Sequence, residues 1–358
     1  MGEKVAKFEQ RFCEYFGCQY AVMANSGSSA NLLMVAALFF SSNHKNKLSR
    51  GDEIIVPAVA WSTTYFPLQQ YGLRLKFVDI DIDTLNYDIE ALKAATNRNT
   101  KAIMVVNLLG NPNNFDEIQN IVSDREILIL EDNCESMGAT FNGKQAGTFG
   151  VMGTFSCFFS HHISTMEGGM VVTDDEELHH ILLSLRAHGW TRNLPETNQI
   201  TGKKSDDSFV ESWRFVLPGY NLRPTELSGA LGTVQLEKLP RLIEQRRSNG
   251  ALLQKKLSDH PDLMIQSEIG KSSWFGFSLV IRPNSELDRS GLISKLVSAG
   301  FEIRPIVSGN FTKNPVMRFF DYTIAGSLKN AEYIDRQGLF VGNQHYPISE
   351  AIDALLAI

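Results

Sequence analysis

The apolar and polar positions of the first half of the chain change period repeatedly. Residues 3–16 (EKVAKFEQRFCEYF) set apolar side chains at helical spacing, which predicts an amphipathic helix. Gly27 precedes Ser28-Ser29-Ala30-Asn31-Leu32-Leu33-Met34, which predicts a tight turn feeding a helix to about Phe40. Short β-rich runs follow at 53–56, 75–78, 102–107 and 126–130, with helical stretches at 89–95 and 115–122. Strands alternating with helices predict an α/β fold with a mostly parallel sheet covered on both faces. Wholly apolar runs such as AIMVVN fit the buried strands of such a sheet.

Two further strands are expected at 153–159 and 169–173, flanking the polar segment 160–168. A helix follows from Glu176 toward Arg186, and the polar stretch 190–209 predicts an exposed loop of the length that often carries function. A long helix over 225–256 is expected to link two domains. The tail predicts an α+β unit: a strand at 276–281, a helix at 290–299, a strand at 302–305 and a closing helix from Ser349. A chain of 358 residues exceeds what one core fills, and the expected division is 1–235 and 236–358.

Composition narrows the function classes. The net charge is −6 and no long Lys/Arg block appears, which argues against a nucleic-acid partner. No apolar run reaches the ~18 residues of a membrane span. Met1 is followed by Gly2-Glu3-Lys4 without the apolar stretch of a secretory leader. Cys13, Cys18, Cys134 and Cys157 show no zinc spacing, so no metal is expected, and reduced thiols in a cytoplasmic protein are the simplest reading.

Three elements are candidates for chemistry. The first is Ser26-Gly27-Ser28-Ser29-Ala30-Asn31, a glycine turn opening a helix, which presents free N–H groups and a positive dipole end to a phosphate. Taken alone, serine N-capping explains it equally. The second is Glu131-Asp132-Asn133-Cys134-Glu135-Ser136, at the end of an apolar strand, where open α/β sheets bind ligands. The third is the turn holding His161 and His162 before Glu167-Gly168-Gly169. Adjacent side chains on an extended chain point apart, so at most one of the two histidines is expected to face a given site. Imidazole suits general acid/base work near neutral pH.

Together these elements resemble the fold-type I (aspartate aminotransferase-like) vitamin-B6 enzymes, in their sugar aminotransferase/dehydratase branch. The resemblance covers nearly the whole chain and is carried by SGSSAN, PAVAWSTT, EDNCES, GTFSCFFSHHISTMEGG, RAHGW, PGYNLRPTELSGA and RPIVSGNF. It implies a large domain with a mostly parallel mixed sheet and a smaller α+β C-terminal domain. In that branch a lysine stands six residues before the Glu of Glu-Gly-Gly and tethers the cofactor; here that position is His161, and no lysine occurs between Lys144 and Lys203. Histidine there marks the B6-dependent sugar-nucleotide 3-dehydratases. One group of these also needs an iron–sulfur cluster, whose clustered cysteine ligands this chain lacks. The resemblance implies relatives that carry roughly 30 more residues ahead of the position of Met1, about a helix and a turn.

The resemblance implies pyridoxal 5'-phosphate / pyridoxamine 5'-phosphate as a cofactor that is not covalently bound. Its phosphate is expected at Gly27, Ser28, Ser29 and Ser156, with Asn221 reaching over from the partner subunit of a homodimer. Asp132 is expected to pair with the ring nitrogen, Trp61 to stack on the ring, and Glu135 to orient the ring-hydroxyl region or the substrate amine. His161 is the expected catalytic acid/base and His162 is taken as structural, His188 and Arg304 are candidate substrate contacts, and 272–275 is a candidate border of the nucleotide. The implied partners are a GDP-sugar substrate and L-glutamate, which regenerates the amine form of the cofactor. Two alternatives stay open: a sugar-nucleotide aminotransferase, which would need a lysine at 161, and a lysine-less regulator of the same fold.

Overall fold

The computed structural model describes residues 1–123 and 125–357. Among these, eight strands form the main sheet, in the order Tyr20–Ala24, Gly169–Thr173, Met152–Ser156, Leu128–Asp132, Thr100–Val106, Glu53–Pro57, Arg74–Val78 and Tyr322–Ile324. Gly169–Thr173 runs antiparallel to both its neighbours, and the remaining pairings are parallel. Every residue of Met152–Ser156 and Gly169–Thr173 is buried, as a sheet covered on both faces requires.

The helices form where sequence chemistry starts and stops them. Glu3–Phe16 buries Val5, Phe8, Phe12 and Phe16, each aromatic contributing about 1.5–3 kcal/mol, and Gly17 closes it in the left-handed conformation. Gly27–Phe40 opens on Ser26, whose hydroxyl accepts from Ser29 N, and Glu176–Arg186 opens likewise on Asp175. Glu226–Leu257, 32 residues and about 48 Å long, gives Leu236, Leu239 and Ile243 to the core it shares with Phe8 and Phe12. Its last turns give Leu253 and Leu257 to a second core with Trp274, Leu279 and Leu339. That core lies against a sheet in the order Leu263–Met264, Gly276–Ile281, Gly338–Gly342 and Ile303–Arg304, all pairs antiparallel.

Several details differ from the sequence reading. The strand expected over 153–159 ends at Ser156, because the chain turns there and His161 N bonds back to Phe158 O at 2.9 Å. The stretch 190–209 holds a short hairpin, Thr197–Asn198 with Gly202–Lys203, and the start of the helix Ser208–Ser212. Strand Tyr20–Ala24 and helix Ser62–Gln70, which contains Pro67, were not anticipated. Tyr322–Ile324 returns from the C-terminal part of the chain to the main sheet, beside Arg74–Val78.

Candidate active site

Leu128–Asp132 and Met152–Ser156 run in the same direction with Asp132 opposite Thr154, so Asp132 and Ser156 emerge at one edge of the sheet. The turns after Tyr20–Ala24, Glu53–Pro57 and Thr100–Val106 rise at the same edge. They enclose a cavity of about 440 Å³, closed from the C-terminal part of the chain by Phe275, Arg304, Pro305, Val307 and Phe340. Of the expected site residues, Gly27, Ser28, Trp61, Asp132, Glu135, Ser156, His161 and Arg304 line it.

At one end a helix opens onto the cavity. The helix Gly27–Phe40 points its first turn into the cavity, with Gly27 packed so closely that a Cβ would lie 2.7 Å from Ser156 Cβ and 3.0 Å from Cys134 Sγ. The Ser28 hydroxyl shares a 2.9 Å hydrogen bond with that of Thr63. Ser29, expected at the phosphate, lies outside the cavity lining and accepts a hydrogen bond from Ser26 Oγ at 3.0 Å.

The other end carries carboxyl groups. Asp132 is 5% exposed. Its Oδ2 accepts from Thr64 Oγ1 at 2.7 Å and Asn31 Nδ2 at 2.8 Å, and its Oδ1 from Cys134 N at 3.2 Å. Glu135 accepts from Leu109 N at 3.1 Å, yet burial, with the nearby charge of Asp132, pushes its carboxyl up to about 7. Glu131 points to the other face of the strand, where Gly147 N, Phe149 N and Gly150 N donate to it at 2.6, 2.5 and 2.8 Å.

His161 sits between these ends. Burial pushes its imidazole down to about 4, against the pull of Asp132, so the ring is neutral at pH 7. Its Nδ1 is enclosed and has no hydrogen-bond partner. His162 is 3% exposed and turns away, with Nε2 3.2 Å from Ser273 O. The two histidines thus divide as expected, one at the cavity and one in the wall. Phe275 packs against His161 and is fixed by its N–H to Leu109 O at 2.9 Å.

His188 and Asn221 lie outside this cavity and beside each other: His188 N donates to Tyr220 O at 2.6 Å, and Ala187 bridges to Asn221. Trp61, at the mouth, is 57% exposed. Asn31, Thr63 and Thr64 line the cavity without having been singled out for it. Asn31 and Thr64 end the motifs SGSSAN and PAVAWSTT, and Asn31 also interrupts an apolar helix, but nothing local to either marks its contact with Asp132. The cavity as a whole suits an elongated ligand with an anionic group at one end and a basic ring nitrogen at the other.

Residues 1–353 match the model of the DegT/DnrJ/EryC1/StrS aminotransferase family. The chain is 63% identical, over 359 residues, to GDP-4-keto-6-deoxy-D-mannose 3-dehydratase of Yersinia pseudotuberculosis, covering 100% of this chain and 91% of that one. The solved structure of E. coli GDP-4-keto-6-deoxy-D-mannose-3-dehydratase with bound hydrated PLP is 62% identical, with a TM-score of 0.98 over 100% of this chain and 92% of that one. A structure of GDP-4-keto-6-deoxymannose-3-dehydratase with a trapped PLP-glutamate geminal diamine matches with the same identity, score and coverage. The architecture is therefore the fold-type I arrangement expected from the motifs, and the chain belongs to the DegT/DnrJ/EryC1/StrS aminotransferase family.

Proposed function

We propose that the chain is a vitamin-B6-dependent sugar-nucleotide 3-dehydratase. It removes the C3 hydroxyl of GDP-4-keto-6-deoxy-D-mannose to give GDP-4-keto-3,6-dideoxy-D-mannose, with the cofactor's amine nitrogen released as ammonia, and L-glutamate restores the amine form of the cofactor as it becomes 2-oxoglutarate. The observation that carries this reading is His161: a neutral imidazole lines the cavity, and no lysine does among the described residues. The 63% identity to an enzyme of that name agrees with it.

The residues fit the cofactor. The glycine-tight turn at Gly27, with Ser28 and Ser156, would hold the phosphate, and Asp132 would face the ring nitrogen. Trp61 would cover the ring, and Glu135 would take its hydroxyl side. When bound, pyridoxamine phosphate supplies an amine for the C4 ketone of the sugar and a protonated ring that withdraws electrons. His161 cannot form an imine, so it works as a base and acid: it takes the proton from the cofactor C4′ carbon and delivers it to the C3 hydroxyl, which leaves as water. A base free of its proton at neutral pH suits the first of these steps.

The assembly is part of the same proposal. The chain acts as a homodimer with shared sites, in which Asn221 and His188 serve the partner's cavity. Leu227, Leu231 and Val234 support this, since they form an exposed apolar stripe on one helix face. The chain divides into units 1–235 and 236–358, with the second core and its sheet in support. It works in the cytoplasm, in keeping with its four free thiols.

The deciding experiment incubates the protein with pyridoxal phosphate, L-glutamate and GDP-4-keto-6-deoxy-D-mannose and weighs the sugar nucleotide by mass spectrometry. A product lighter by one oxygen, formed only with glutamate, is expected. An amino sugar would replace this reading with a transaminase, and an unchanged sugar would overturn the substrate.

A further inference from the structure

The carboxylate of Asp132 is fixed by buried groups that the scheme above leaves without a role. Thr64 Oγ1 and Asn31 Nδ2 both donate to Oδ2, at 2.7 and 2.8 Å. Behind them, Thr154 Oγ1 donates to Asn31 Oδ1 at 2.6 Å. That bond fixes the amide, because an oxygen turned to the Thr154 hydroxyl leaves the NH₂ facing Asp132. Asn31, Thr64 and Thr154 are each 2% exposed or less, so bulk water does not stand in for a missing donor. Oδ2 is thereby filled, whereas Oδ1 accepts the single N–H of Cys134. Rotating the carboxylate would break both short bonds at once.

The same groups reach the anion end. Asn31 follows Ser28 by three residues, on the same face of the helix. Thr63, beside Thr64, shares the hydrogen bond with the Ser28 hydroxyl, and its carbonyl accepts from Asn31 Nδ2 at 3.3 Å. Two helix starts, Gly27–Phe40 and Ser62–Gln70, therefore set both ends of the cavity together.

We propose that Thr64 and Asn31, with Thr154 behind them, are positioning residues that leave Asp132 Oδ1 as the acceptor for the ring nitrogen of the cofactor. The inference rests on the cofactor reading of the preceding subsection. These side chains act through Asp132, so the test reads the ring nitrogen itself. Pyridoxal phosphate labelled with ¹⁵N in the ring is bound to the full chain, and the nitrogen chemical shift is followed against pH alongside the cofactor Kd. Thr64→Val keeps the shape and removes one donor. It is expected to lower the pH at which the ring nitrogen loses its proton and to weaken cofactor binding by on the order of tenfold, with Thr64→Ser restoring both. Asn31→Ala tests the same point through a second residue, should the valine variant fail to fold. In an Asp132→Asn background, Thr64→Val is expected to add nothing. Unchanged nitrogen titration and Kd in the variants, or an undiminished Thr64→Val effect without the carboxylate, would overturn the inference alone. A wild-type chain that binds no pyridoxal phosphate would overturn the cofactor reading, and this inference with it.

Discussion

The rings of His161 and Phe275 stand 5.1 Å apart with their planes at 85°. Phe275 N–H is bonded to Leu109 O, and Leu109 N–H to Glu135. The catalytic candidate is therefore braced from two sides: by the strand end that carries Asp132, and by a segment more than 100 residues later that closes the cavity.

His161→Asn removes the proton carrier and keeps a polar side chain of similar size. Cofactor binding is expected to persist, with the dehydration rate falling by about 10²–10⁴-fold. Equilibrium dialysis with pyridoxal phosphate and single-turnover assays separate the two. A wild-type rate in this variant would take the base away from His161.

His161 and Glu135, which both line the cavity, give opposite pH dependences. His161 falls from its ordinary 6.5 to about 4, so its contribution to stability is present above pH 6.5 and lost as pH falls through about 4. Glu135 rises from 4.5 to about 7, so its contribution is complete below pH 4.5 and lost as pH rises through about 7. Glu135→Gln cannot ionise. Relative to wild type, it is expected to gain about 3 kcal/mol between about pH 4.5 and pH 8, measured by urea unfolding without cofactor. An identical pH slope in both proteins would remove Glu135 as the source.

Gly110 adopts φ +97°, and a Cβ there would lie 2.6 Å from Trp274 N and 2.8 Å from Phe275 N. Gly110→Ala is expected to push the 273–275 segment off its bonds to Leu109 O and Gly110 O, costing about 1–3 kcal/mol and lowering kcat through the loss of Phe275 against His161. Gly143, also left-handed but with open space around its Cβ, is the control: its alanine variant meets backbone strain alone. Equal melting temperatures for the two variants would count against the close-approach argument.

If Asn221 and His161 serve one site from different protomers, two inactive variants repair each other. Mixing Asn221→Ala with His161→Asn under exchange conditions is expected to return part of the activity, since each mixed dimer holds one intact site and one doubly altered site. Mixtures as inactive as their components would place both residues in the same protomer's site.

Much of this was readable from the chain because local chemistry and tertiary role coincide. Glycine and serine mark the turn where a helix opens onto the cavity, Asp132 ends an apolar strand, and His161 stands at a fixed distance from Glu167. Other features left weak traces. YAVMA is too short to signal strand Tyr20–Ala24, and STTYFPLQQ hides a helix behind threonines and Pro67. Thr64 matters only through its contact with Asp132, 68 positions away, and no local pattern records such a pairing. Closure by Phe275, Val307 and Phe340 depends likewise on how the second sheet meets the first.

Glu131 and Asp132 are neighbours that face opposite sides of one strand, the first clamped by three backbone N–H groups beneath the sheet, the second turned to the cavity. Because the side-chain period of a strand is two, a single inserted or deleted residue just upstream would exchange their faces. The carboxylate clamped by backbone N–H groups and the one at the cavity would both be displaced in the same event.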